Sequence, residues 1–318
     1  MYKFSSPIVA APLAGISNSA YYSLCLEFGA GLVYTEMVSA EAIHYQNKRT
    51  FDMCKIPSDA HPIALQLFGS KVSSMVEAAM YIDQGDADII DINMGCPAPK
   101  VVKTGAGSAL LHEPQLAKEI VSEIVKHVKK PVSVKIRLGY SEEEKNYLDF
   151  AKMLEDCGIS FLAVHGRTRT QMYQGEADWQ AIKEIKQALK IPVIGNGDIK
   201  TVTDFMNRLK ESEVDAIMIG RGLLGNPFLI KEIKAALNGE DYENIAVSER
   251  FECCKRHAQA LVDLYGEERA LCQMRGIAPS YLKGLKNSSY YRQQCSRLSS
   301  LQELYDILDK FQLDLRQQ

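Results

Sequence analysis

Ile89-Ile90-Asp91-Ile92-Asn93-Met94-Gly95-Cys96-Pro97 reads as a buried strand that ends abruptly in a tight turn. Its apolar run is rich in β-branched residues, and an amide, a glycine, a thiol and a proline follow in quick succession. The basic, glycine-bearing run Lys100 to Gly107 comes next. A free cysteine is most often a small buried hydrophobe, but the polar neighbours of Cys96 argue for a thiol delivered to a loop.

The same pattern recurs on both sides of this stretch. Short β-rich runs stand at Ile8–Pro12, Leu32–Met37, Ile63–Phe68, Ile89–Asn93, Val132–Arg137, Phe161–His165, Pro192–Asn196 and Ala216–Gly220. Amphipathic, helix-period runs separate most of them, among them Gln115–Val128, Glu142–Cys157, Trp179–Leu189 and Thr201–Leu209. Strands that alternate with helices imply a parallel sheet, because each crossover needs a helix to bring the chain back. Eight such units in about 235 residues predict a (β/α)8 TIM barrel, with a doubly wound open sheet as the structural alternative. The polar residues favour the barrel. Asn93 and Cys96, Lys135 and Arg137, His165, Asn196 and Asp198, and Gly220-Arg221 all stand at C-terminal strand ends, which a barrel gathers at one mouth.

Beyond about residue 235 the pattern changes. Asn238-Gly239-Glu240-Asp241 has the composition of a linker, and helical runs follow at Ser248–Tyr265, Ala270–Tyr281 and Ser300–Phe311. The expected division is a barrel over residues 1–237 and a small C-terminal helical domain over 242–318.

Composition narrows the classes of function. The 318-residue chain is 46% hydrophobic and 24% charged with net charge −3, which excludes a protein basic over its whole surface but leaves room for a local patch. No apolar stretch is long enough to span a bilayer, and Met1 to Pro7 runs into a strand without a signal-peptide pattern. Cys25, Cys54, Cys96, Cys157, Cys253, Cys254, Cys272 and Cys295 form no Cys-x-x-Cys and no zinc spacing with histidine. We therefore expect no metal and a reducing, cytoplasmic setting.

Gly220-Arg221-Gly222-Leu223-Leu224-Gly225 matches Gly-x-Gly-x-x-Gly, yet it closes the eighth unit rather than opening a dinucleotide fold. With Gly195-Asn196-Gly197-Asp198 it fits the phosphate site that barrels build between the loops after strands seven and eight. Arg221 would add a charge-assisted contact.

Taken together the motifs resemble the tRNA-dihydrouridine synthases. The resemblance runs through Ala11-Pro12-Leu13-Ala14-Gly15, Tyr34-Thr35-Glu36-Met37-Val38, Gln66-Leu67-Phe68-Gly69 and the Asp91 to Pro97 motif. It continues through Val134 to Gly139, His165-Gly166-Arg167-Thr168, Asn196-Gly197-Asp198 and Ile219 to Gly222, then Met274-Arg275 and Tyr281 to Gly284. It departs at Gly276-Ile277-Ala278-Pro279-Ser280, where many relatives carry basic or aromatic residues.

The resemblance implies an FMN enzyme, recharged by NADPH or NADH, that reduces the C5–C6 double bond of uridines in tRNA. Hydride would pass from flavin N5 to C6, and Cys96 would protonate C5. Pro12, Leu13 and Ala14 would lie along the flavin ring, and Gln66 and Lys135 at its pyrimidine edge. His165 would contact the flavin or its phosphate, while Asn196, Gly197, Asp198, Gly220 and Arg221 would hold ribityl and phosphate. Asn93 and Arg137 would contact the uridine. An ordinary thiol, with pKa about 8.5, still carries its proton at neutral pH. A histidine base such as His165 could instead make Cys96 a thiolate nucleophile.

For the RNA, the chain from Arg269 to Arg297 carries basic residues including Arg275, Lys283 and Lys286 and no acidic one, interleaved with Tyr281, Tyr290 and Tyr291. Lys100, Lys103, Arg167 and Arg169 on mouth loops would extend this patch. The expected state is a monomer. The rival readings are an FMN barrel acting on free pyrimidines, as a dihydroorotate dehydrogenase-like enzyme would, and a non-catalytic RNA-binding protein.

Overall fold

The computed structural model describes residues 2–242 and 245–317. Met1 and Gln318, which bound the two assigned segments, lie outside the described residues, as do Glu243 and Asn244. Nine strands form one parallel sheet: β1 (Ile8–Ala10), β2 (Val33–Tyr34), β3 (Val38–Ser39), β4 (Ile63–Phe68), β5 (Ile89–Met94), β6 (Val132–Arg137), β7 (Phe161–His165), β8 (Val193–Asn196) and β9 (Ala216–Ile219). Their order is β1-β9-β8-β7-β6-β5-β4-β2, with β3 also on β4. A parallel bridge from Val9 to Leu32, with Ala10 N–H donating to Leu32 O at 2.9 Å, closes the ring. The fold is the TIM barrel that the alternation predicts.

One expected strand divides in two. The run Leu32–Met37 pairs at Val33–Tyr34, leaves the ladder, and resumes at Val38–Ser39. Between them Thr35 Oγ1 donates to Glu36 O, while Glu36 accepts from Gly15 N–H and donates its own N–H to Ser17 O. The bent segment thereby ties the second barrel strand to the loop after β1.

The barrel interior holds Val9, Leu32, Tyr34, Ile89, Phe161, Ile194 and Met218, and Tyr2 and Phe4 plug one end against the Phe161 ring. Helices α1 (Ser19–Glu27), α2 (Ala40–His44), α3 (Lys48–Met53), α4 (Val72–Asp83) and α5 (Pro99–Val102) alternate with the first strands. A 3-10 turn (Gly107–His112) precedes α6 (Pro114–His127), α7 (Tyr147–Asp156), α8 (Trp179–Ala188), α9 (Val202–Ser212) and α10 (Phe228–Leu237). Their apolar stripes form the outer layer of core; in α6 it is Ala117, Ile120, Val121 and Ile124, at helical spacing.

Four helices follow: α11 (Val247–Tyr265), α12 (Glu267–Tyr281), α13 (Ser288–Cys295) and α14 (Leu301–Arg316). Their shared core includes Phe251, Met274, Tyr281, Leu304 and Phe311, and reaches onto the barrel through Ala20, Leu24 and Phe228. Gly225 makes this docking possible. Its φ is +66°, and a Cβ there would lie 2.4 Å from Ser280 C in α12, so only glycine lets the two backbones meet.

Candidate active site

At the end of β5 the chain turns on Asn93. Its Oδ1 accepts from Gly95 N–H (3.2 Å) and Cys96 N–H (2.8 Å), a side chain standing in for the missing ladder partner. The Cys96 carbonyl accepts in turn from Ser108 N–H (3.1 Å) and Oγ (2.9 Å). The half-buried thiol is thus carried on a backbone held from both sides, and it lines a cavity at the C-terminal mouth of the barrel.

That cavity gathers the strand ends. Pro12, Leu13 and Ala14 enter on the loop after β1, which is pinned where Leu13 N–H donates to Ser17 Oγ. Gln66, Asn93, Cys96, Lys135, Arg137, His165, Asn196, Gly197, Asp198, Gly220 and Arg221 complete the set expected from sequence. Met37, Tyr173, Ile199, Lys200 and Met218 also line it and were not anticipated from sequence. Met37 lies within a quoted motif and Ile199 adjoins one, so their place in the chain could have flagged them. Tyr173 lies on an irregular loop and carries no periodic signal.

Lys135 donates to Asn196 Oδ1 (3.2 Å), a neutral amide, rather than pairing with a carboxylate. Burial, reinforced by Arg137, lowers its pKa to about 8. A half-buried ammonium with this much unspent donor capacity is suited to an anionic or carbonyl oxygen within the cavity. On the rim Arg221 lies over the Tyr173 ring, 4.6 Å from its centroid, and remains half-exposed. The loops after β8 and β9 touch directly: a Cβ at Gly222 would lie 2.2 Å from Ile199 O. Gly222 therefore serves close backbone approach between the two loops beside a basic rim, which fits a phosphate group.

His165 is buried, and its Nε2 lies 3.4 Å from Arg167 Nη1. Burial, with Lys135, Arg137, Arg167 and Arg221 around it, holds its pKa well below the usual histidine value. The imidazole stays neutral and is a weak base.

Two arginines spend most of their donors on loop carbonyls. Arg137 was expected on the uridine, but it is 2% exposed and donates to Gly95 O (2.9 Å), Thr168 O (2.8 Å) and Met172 O (2.8 Å). It clamps the Cys96 turn to the loop after β7, and only its remaining edge meets the cavity. Arg167 was expected on the RNA patch, yet it is also 2% exposed. It donates to Gln174 O (3.0 Å), Gly175 O (2.6 Å) and Asp198 Oδ2 (2.7 Å). Asp198 also accepts from Ala177 N–H (2.8 Å), so its carboxylate knits loops together. Those bonds and the nearby cations outweigh its partial burial and hold its pKa below the usual carboxylate value.

Away from the cavity, Lys100, Lys103, Lys283 and Lys286 are exposed. Arg275 is exposed as well, but its Nε (2.9 Å) and Nη2 (2.7 Å) both donate to Leu298 O. Of the three tyrosines expected on an RNA face, only Tyr290 is open. Tyr281 packs in the helical core with its hydroxyl 3.0 Å from His257 Nδ1, and Tyr291 stacks on Phe311 at 4.2 Å. Within the stretch that departs from the family pattern, Ile277 and Ala278 are buried and Ser280 backs Gly225. Among the described residues no group of His, Cys, Asp or Glu is placed to hold a metal ion, and no helix is long and apolar enough to cross a membrane.

Comparison with known proteins points one way. The family described as Dihydrouridine synthase (Dus) matches residues 8–316. A "Probable tRNA-dihydrouridine synthase" from Rickettsia bellii is 40% identical over 292 residues, covering 91% of this chain and 90% of that protein. "tRNA-dihydrouridine synthase B" from Pasteurella multocida is 36% identical over 311 residues, covering 98% and 94%. Among solved structures, histamine dehydrogenase from Rhizobium sp. 4-9 superposes with a TM-score of 0.55 at 14% identity, over 80% of this chain and 49% of that one. A 2-naphthoyl-CoA reductase does so at 0.57 and 13%, over 74% and 50%. This chain spans about half the length of those two proteins, and the likeness to them is one of fold.

Proposed function

The chain belongs to the dihydrouridine synthase family of oxidoreductases, and from that premise we propose that it is a tRNA-dihydrouridine synthase reducing the C5–C6 double bond of uridines in transfer RNA, with FMN as cofactor and NADPH or NADH as reductant. The observation that carries this reading is the meeting of one backbone-clamped thiol, one carboxylate-free lysine and a pair of glycine-bearing loops in a single cavity.

Bound there, FMN would supply the hydride that goes to C6. Lys135 and Gln66 would meet its pyrimidine edge, Pro12 to Ala14 would flank the ring, and Gly197, Gly220 and Arg221 would take the phosphate. Asn196 and His165 would hold the region between. The Cys96 S–H bond then breaks as the proton goes to C5, and the thiolate is later reprotonated from solvent. Asn93 fixes the cysteine turn and would present its remaining surface to the uracil, with Arg137 behind it.

The target base must leave its stack to enter this cavity, so the RNA has to be held around the mouth. Lys100, Lys283 and Lys286 are free to meet phosphates, and Tyr290 offers an aromatic face. Arg275 would act there by shaping the surface as well as by its charge. We assign residues 1–237 to the flavin-bearing barrel and 242–318 to RNA binding.

The test supplies purified protein with FMN, NADPH and tRNA transcribed without modification. Dihydrouridine should appear in the tRNA by mass spectrometry. Reduction of free uracil or orotate, with tRNA left untouched, would overturn the proposal.

A further inference from the structure

Beneath the cavity a line of hydrogen bonds ends on a buried acid for which the reaction itself has no use. Asp91 is fully buried in β5. Its Oδ1 accepts from Ser133 Oγ (2.6 Å) and its Oδ2 from Gln66 Nε2 (2.7 Å). Gln66 Oε1 accepts from Asn93 Nδ2 (2.8 Å), and Asn93 Oδ1 accepts from the Cys96 and Gly95 amides.

The direction of this line is fixed from both ends. At one end stand two backbone N–H groups, which can only donate, so Asn93 must turn its oxygen to them and its Nδ2 to Gln66. Gln66 must then offer Oε1 to Asn93 and Nε2 to Asp91. A carboxylate at that last position accepts and never donates. Reversing Gln66 would set its oxygen against Asp91 Oδ2 and its amide nitrogen against that of Asn93. Burial pushes the Asp91 carboxyl up to about 7, but a proton on Oδ1 would face Ser133 and leave Oδ2 accepting. Gln66 and Asn93 are almost wholly buried, so water is a poor substitute partner.

We infer that Asp91 is a positioning residue: through Gln66 and Asn93 it sets the turn that presents the Cys96 thiol to the cavity. The inference deepens the proposed function and rests on it for the role of the thiol. Asp91 touches neither substrate nor cofactor in this account.

The direction of the line supplies an isosteric test. Asn93→Asp puts an acceptor at both ends of Gln66, which has one amide nitrogen to offer. Adding Asp91→Asn permits the reversed order, in which the new amide at position 91 donates to Gln66 Oε1 and Gln66 Nε2 donates to the new carboxylate at position 93. Pre-reduced enzyme is mixed with unmodified tRNA and single-turnover dihydrouridine formation is followed. Asn93→Asp should slow it about 100-fold, and Asp91→Asn in the same chain should recover at least about 10-fold of that loss. Asp91→Asn alone should stay within about 5-fold of wild type, since its amide oxygen can still accept from Gln66. Flavin reduction by NADPH, which does not use the thiol, should change by less than about 3-fold in Asp91→Asn, where Gln66 keeps its orientation.

A second readout is alkylation of Cys96 by iodoacetamide, followed by peptide mass, which requires no turnover. Its rate should shift in Asn93→Asp and return in the double variant. A double variant no better than Asn93→Asp in both readouts overturns the inference. If wild-type protein reduces no uridine while the alkylation pattern holds, the functional reading fails and the positioning role stands.

Discussion

Arg167 offers a test of the loop architecture that can be worked to a magnitude. Replacing it with methionine keeps most of the buried stem and removes the guanidinium. Gln174 O and Gly175 O then lose their donor, and the Asp198 carboxylate keeps only the Ala177 N–H and the longer contact to Arg221. Removing one partner of a buried ion pair costs about 3–5 kcal/mol, because the other charge is left uncompensated. Asp198 keeps 29% of its side chain in water, which places the loss toward the lower end. At about 2 °C per kcal/mol for a chain of this size, Tm should fall by roughly 6–8 °C. Arg167→Lys keeps the charge but not the planar fork, and should cost about 1–2 kcal/mol. Because the loops after β7 and β8 form one wall of the cavity, Arg167→Met should also weaken FMN binding, read by fluorescence titration of apoprotein. The salt dependence of tRNA binding should not change, since the guanidinium is buried. A Tm within about 2 °C of wild type, or a flattened salt dependence, would refute the reasoning and return Arg167 to the RNA surface.

Further predictions follow from the helical unit and its seam with the barrel. Gly225→Ala should destabilise by at least about 2 kcal/mol in denaturant melts, since the new methyl meets the Ser280 backbone and φ is positive; an unchanged midpoint would show that the seam can yield. Lys283→Ala and Lys286→Ala should each lower the slope of log affinity against log salt for tRNA by roughly 0.7–0.9, with flavin retained. Arg275→Ala should lower the Tm of the helical unit as well, because it frees Leu298 O. His257 is buried with its pKa held at about 4, below the unfolded value near 6.5. Between these values the unfolded chain binds more protons, so the histidine removes about 3 kcal/mol of stability as pH falls from 6.5 to 4. Asp91 acts oppositely in that range, so the measurement is the difference between wild type and His257→Phe in urea melts at several pH values. Parallel curves would contradict the assignment.

The barrel was legible because its signal is repeated. Each strand run is short and apolar, several end on a polar group, and helical stripes such as that of α6 fill the gaps. The cavity was legible for the same reason, since C-terminal strand ends converge in this fold whatever lies between them. What the sequence could not show was which way a side chain spends its donors. Arg137 and Arg167 look like ligand or surface cations until the carbonyls around them are seen. Tyr281 and Tyr291 sit in a basic run, but composition does not orient a ring. Helix α13 escaped notice because Ser288, Tyr291 and Cys295 make an apolar stripe too thin to read. The break at Thr35-Glu36 was hidden by β-favouring neighbours on both sides.

The central claim is that Cys96 supplies the proton to C5 of the uracil. Its most direct test is single-turnover reduction of unmodified tRNA by pre-reduced Cys96→Ala protein, with FMN content and NADPH-driven flavin reduction measured on the same sample. The account predicts a loss of about 10²–10⁴-fold in dihydrouridine formation, the usual worth of a positioned general acid, while the other two quantities hold. Dihydrouridine formed by Cys96→Ala at the wild-type rate would contradict it.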